Sequence, residues 1–201
     1  MNRRSYTIVT ILFFSVGVLS LCLLYGKLRR VFHSPAAVAE VSTSKDIYEL
    51  WAQTGIKGRT AIMLTRHLNA EHQPKDSPEE QCVRQAMQRG MIRKVFHIVP
   101  DNAWQEISAT LMKRQATRKE SDRFVLLFEE GRVTVMPLSK LAAISETSII
   151  VLEPGIWKEE ERVYIQSLIA SQKLTTDLMA IIRGSKSDSD RFRGIISQNR
   201  K

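Results

Sequence analysis

From Tyr6 to Gly26 the chain reads YTIVTILFFSVGVLSLCLLYG, 21 residues without a charge. As a helix rising 1.5 Å per residue, that run is about 31 Å long and matches a hydrocarbon core of ~30 Å. Tyr6 and Tyr25 stand at its two ends, where amphipathic rings favour the membrane interface. The run exceeds a secretory h-region of roughly 7–15 residues. The A-x-A-like stretch Ala37-Val38-Ala39 lies beyond the basic cluster Lys27–Arg30, too far away to serve as its cleavage site. Residues 6–26 are therefore expected to be an uncleaved transmembrane signal anchor preceded by a short basic tail, residues 1–5. Residues 27–44 follow as a basic flank and a flexible tether.

Beyond residue 44 the apolar spacing changes repeatedly between helical and extended periods. Asp46 to Gln53 places Ile47, Leu50 and Trp51 on one helical face and stops near Gly55. Thr60–Thr65 is a short apolar strand, and Asn69 to Lys75 a polar loop. Ser77-Pro-Glu-Glu80 supplies a helix start, with Val83, Ala86 and Met87 inward and Gly90 just past the end. Lys94–Val99 is a second strand, with His97 facing opposite to Phe96 and Ile98 in an outward or half-buried position. Asp101 caps a third helix carrying Trp104, Ile107 and Leu111, fraying over Lys113–Glu120. Phe124–Phe128 and Arg132–Met136 pair as a hairpin, with Gly131 in the left-handed position of its turn. Leu138–Ile144 gives one or two helical turns, and Ser148–Leu152 a β-branched strand. A helix over Lys158–Ser171 carries the apolar Val163, Leu168 and Ile169, and another runs from Leu174 to Arg183, ended by Gly184. Residues 185–201 read as a flexible basic tail.

These elements predict an α/β fold: one small domain, residues 45–184, with a mixed sheet of about five strands flanked by helices in two or three layers. That domain follows the single N-terminal transmembrane helix.

The net charge of +9 changes the picture less than it suggests. Arg3, Arg4, Lys27, Arg29 and Arg30 flank the apolar run, and without them 25 basic residues face 21 acidic ones. Nucleic acid is not expected as a partner. The expected partners are the lipid bilayer, through residues 6–26, and an unidentified protein. Of two cysteines, Cys22 lies in the apolar run, so the domain keeps only Cys82 and can form no internal disulfide or Cys-based zinc site. No metal and no cofactor are predicted. The two flanks are nearly equal in charge, so the positive-inside rule does not orient the anchor. A short N-terminal tail before a long domain favours the non-cytoplasmic side.

Candidate chemistry is sparse. Leu64-Thr65-Arg66-His67, at the end of the first predicted strand, resembles the start of the histidine phosphatase motif, L-x-R-H-G. The resemblance covers about four residues and implies a phosphoryl-accepting His67 and a phosphate-clamping Arg66; Leu68 stands where that motif has glycine. Gly55-Ile-Lys-Gly-Arg-Thr60 has phosphate-loop composition but precedes its strand and lacks the Walker spacing, so it reads as a turn. Glu79-Glu80 and Glu159-Glu160-Glu161 fall in first helical turns, where acids offset the helix dipole. The expected function is a membrane-anchored, non-catalytic, protein-binding domain in a membrane-associated assembly. The alternative is a membrane-tethered enzyme acting on a phosphorylated or anionic substrate through Arg66 and His67.

Overall fold

The computed structural model describes residues 37–65, 78–113, 117–129 and 131–198. The predicted anchor at residues 6–26 lies outside the described residues. Among those, no helix is long and apolar enough to cross a membrane.

The elements alternate along the chain. Strand β1 (Ala37–Val41) leads to helix α1 (Ser44–Gln53), β2 (Arg59–Leu64), α2 (Pro78–Gln88) and β3 (Ile92–Val99). Next come α3 (Trp104–Met112), β4 (Thr117–Glu120), β5 (Arg123–Phe128) and β6 (Gly131–Pro137). A 3-10 segment, Leu138–Ala143, passes to β7 (Ser148–Leu152), followed by α4 (Glu159–Ala170), β8 (Thr176–Ile182) and α5 (Lys186–Gln198). The strands form one eight-stranded sheet in the order β1-β8-β7-β2-β3-β6-β5-β4. The first six in that order run parallel, β5 runs antiparallel to β6, and β4 antiparallel to β5. The fold is thus α/β with a mixed sheet flanked by helices, with eight strands instead of about five.

Alternation sorts each central strand into two buried faces. Met63, Val95, Val135, Val151 and Ala180 face the layer made by α1, α2 and α3, where Trp51, Ala86, Met87 and Ile107 meet them. Ile62, Phe96, Met136, Ile150, Leu152 and Ile181 face the layer made by the 3-10 segment, α4 and α5. Leu141, Ile165, Leu168, Phe192 and Ile196 close that second core. The result is a three-layer sandwich.

Some local expectations hold. Helix α1 covers the expected Asp46–Gln53 and starts two residues earlier, in a capping box with the Thr43 N–H donating to the Asp46 carboxylate at 2.8 Å. Helix α2 ends where Gly90 takes φ +67°, its N–H donating to the Met87 carbonyl at 2.8 Å. Others are corrected. The supposed tether contains β1, and Ser44 already begins α1. Thr117–Glu120 is edge strand β4 and not a fraying helix end; its charged TRKE sequence guards the sheet edge. Leu174–Arg183 is not a helix, because Thr176–Ile182 forms β8 between β7 and β1. A strand covered on both faces shows no alternation, so its apolar run mimics a buried helix.

The supposed flexible tail forms α5, capped by a Ser185–Asp188 pair, with the Ser185 N–H donating to Asp188 at 2.9 Å. Of the apolar residues on α4, Ile165, Leu168 and Ile169 are buried and Val163 is exposed. Asp101 does not cap α3; it accepts from the Ser139 N–H and hydroxyl, both at 3.1 Å, and ties the β3 and β6 ends together. Gly131 begins β6 opposite Phe128 without a positive φ. Its smallness serves a close approach: a Cβ there would stand 2.6 Å from the Arg93 carbonyl oxygen.

Candidate functional site at the sheet crest

In a parallel sheet with helices on both faces, ligands bind beyond the carboxyl ends of the strands, at the point where the winding reverses. Here β2 passes through α2 to β3 on one side, and β7 passes through α4 to β8 on the other. The neighbours β2 and β7 therefore form the switch point, and α2 and α4 lie on opposite faces of the sheet.

Three buried polar side chains gather at that end on the α1–α3 face. Thr65 follows β2 and is 2% exposed, and its hydroxyl has no hydrogen-bond partner among the described residues. Glu153 follows β7 and is 8% exposed. Its N–H donates to the Leu64 carbonyl at 3.0 Å, which extends the ladder by one step and sets Glu153 beside Thr65. His97, 3% exposed, lies on β3 directly opposite Met63, two positions below Thr65 on the same face. It is buried and not turned outward, because this face of the sheet is covered as fully as the other.

The surrounding loops are held tightly. The Trp157 indole N–H also donates to the Leu64 carbonyl, at 3.1 Å, so the segment after β7 is pinned to the end of β2. Beside it, a Cβ on Gly184 would come within 2.3 Å of Ile181 Cγ2 and 3.5 Å of Pro154 Cγ. Between β8 and that glycine, Arg183 adopts φ +49° while its N–H donates to the Val41 carbonyl at 3.1 Å. A non-glycine residue in the left-handed region costs energy and is concentrated at functional sites. The crossover helices run back from this crest, so α1, α2, α4 and α5 all begin here and direct their positive dipole ends toward it. At the start of α5, burial opposes ionisation of Asp188. Hydrogen bonds from Ser185 and the charges of Arg162 and Arg191 outweigh it and hold the carboxyl below its ordinary value.

Arg66, His67 and His72 lie outside the described residues; Arg66 and His67 follow Thr65 directly in the chain. Gly55–Thr60 forms the α1–β2 turn at the opposite end of the sheet. Glu159, Glu160 and Glu161 occupy the first turn of α4, where the Arg162 guanidinium pairs with Glu159. Among the described residues, no group of three His, Cys, Asp or Glu side chains is placed to hold a metal ion. Glu153 escaped the sequence reading, although its place directly after the most β-branched strand marked it as a strand-end residue. No family model, curated protein or solved structure matches this chain.

Proposed function

We propose that this chain is a membrane-anchored domain that binds a small anionic ligand at the crest, over the carboxyl ends of β2 and β7. The observation that carries this reading is Thr65, a buried hydroxyl at the switch point of the sheet with no hydrogen-bond partner among the described residues. Buried hydroxyls are almost always paired, and an unpaired one costs about 1–3 kcal/mol unless something else supplies the bond. A bound ligand supplies it. Anionic character follows from the helix starts directed at the crest, from exposed Lys158 and Arg183 on the neighbouring loops, and from Arg66 and His67 next to Thr65 in the chain. On a phosphorylated ligand, Arg66 acts as anion clamp and His67 as nucleophile or acid/base group. The anchor is residues 6–26, with the domain on the non-cytoplasmic side.

Titration with inorganic phosphate and pyrophosphate, read by amide NMR shifts, tests the reading. Saturable shifts at Thr65, Glu153 and the first turn of α4 are expected in the wild type and lost in Arg66→Ala. Shifts absent or scattered over the surface would overturn it.

A second reading keeps the domain non-catalytic and gives it a protein partner in a membrane assembly. Leu127, 64% exposed, and Phe128, 37% exposed, favour it, because they put two large apolar side chains on the surface at the end of β5. Under that reading His67→Ala is silent, and Leu127→Ala weakens co-purification of the partner.

A further inference from the structure

The end of the sheet opposite the crest is basic. Arg59 opens β2, Arg93 and Lys94 are the second and third residues of β3, and Arg132 lies near the start of β6. Lys57 and Lys173 sit on the turns leading into β2 and β8. The register lines up Thr60, Lys94 and Arg132 across three neighbouring strands. Two acids there are already neutralised. Asp177 takes the Arg59 guanidinium through both oxygens at 2.6 Å, and Glu146 takes the Lys94 ammonium and the Thr60 hydroxyl. Lys57, Arg93, Arg132 and Lys173 remain exposed, against Glu129 with Glu130 next to it in the chain. Arg89, stacked 5.6 Å from the Tyr48 ring centre, adds another positive charge. The crest is mixed in sign, with Asp101, Glu159, Glu160 and Asp188 among its charges.

Strand β1 runs parallel to β8, so its first residue, Ala37, emerges at this same basic end. Only six residues separate Ala37 from Arg30 in the chain. At most ~3.6 Å per residue, they span no more than about 25 Å whatever path they take. The chain on the far side of that span carries Lys27, Arg29 and Arg30 directly after the apolar run.

We infer that the amino end of the sheet docks on the anionic bilayer surface in which the chain's own N-terminal segment is anchored, with Lys57, Arg93, Arg132 and Lys173 against the headgroups. The inference rests on the anchor reading above. A short tether makes the encounter intramolecular, so a few basic side chains suffice where a free domain would need many. Docking this way turns the crest away from the membrane and leaves the Thr65–Glu153 site open to the aqueous phase.

The test uses the full chain in vesicles of phosphatidylcholine with or without phosphatidylglycerol, carrying an energy acceptor in the headgroup layer. In a Cys22→Ser, Cys82→Ser background, a donor dye is placed at Ser145→Cys near the basic end or at Gly155→Cys on the crest. Both positions are exposed, and a side chain at Gly155 meets nothing within 4 Å. Transfer from position 145 should rise several-fold when phosphatidylglycerol is added and fall back in high salt, whereas position 155 stays low throughout. The combined change Lys57→Glu, Arg93→Glu and Arg132→Glu should abolish the lipid-dependent part. Equal transfer from both positions, or no response to charge reversal, overturns the docking while leaving the anchor standing. Loss of the whole chain from the vesicles after alkaline carbonate sinks the anchor and the docking together.

Discussion

At the scale of single residues, the arrangement separates groups that hold the fold from a group that does not. Thr65 is buried and its hydroxyl has no partner among the described residues, so Thr65→Val removes a desolvation cost without changing shape. We expect stability equal to wild type or higher by up to about 1 kcal/mol in thermal melts, together with loss of the phosphate response. A clear drop in melting temperature would show that the hydroxyl is paired in solution. Glu146 behaves in the opposite way. Burial opposes its ionisation, but hydrogen bonds from Lys94 and Thr60 and the charges of Lys94 and Arg132 outweigh it, and its carboxyl stays below the ordinary value. Its folded pKa is therefore lower than the unfolded one of about 4.3, so its stabilisation is present above that pH and disappears as pH falls through the folded value. The stability gap between wild type and Glu146→Gln should shrink below about pH 4.3 in denaturant titrations. A gap that stays constant into acid would assign the effect to packing.

At the scale of elements, two tests follow from contacts that no local propensity reveals. Helix α5 contributes Phe192, 1% exposed, to the second core. Phe192→Ala should cost about 3–5 kcal/mol by urea denaturation, whereas a flexible tail would lose nothing. Gly131 lies against the Arg93 carbonyl, so Gly131→Ala must push β6 and β3 apart. We expect a loss of about 1–3 kcal/mol, against less than ~0.5 for Gly155→Ala, in the same urea titration. The signals for α5 are in the sequence: Ser185-x-x-Asp188 is a cap, and Phe192, Ile195 and Ile196 share one helical face. They were outweighed by the surrounding Ser, Asp and Arg, which read as solvated tail. For β8 no such signal exists, because Leu178-Met-Ala-Ile-Ile182 suits a buried helix as well as a central strand.

At the scale of the whole molecule, the proposed anchor carries a test of its own. The full-length chain should remain in the membrane pellet after alkaline carbonate washing, at its uncleaved mass. A soluble product lacking the first ~30–40 residues would show a cleaved signal and remove the tether from the argument.

The sequence by itself determined the α/β class, because apolar periodicity, caps and glycine stops act within a turn or two of the chain. Helices α1 to α4 and the five strands β2, β3, β5, β6 and β7 were legible for that reason. It also pointed to Thr65-Arg66-His67 as a strand end worth watching. Only the tertiary structure decided the eight-stranded order, the parallel direction and the neighbours β2 and β7 that make a switch point. Glu153 and His97 joined Thr65 because strands distant in the chain are adjacent in the sheet, and register, not spacing along the chain, sets which side chains meet. Edge strands β1 and β4 escaped because a short strand has little pattern of its own and exists through the partner it pairs with.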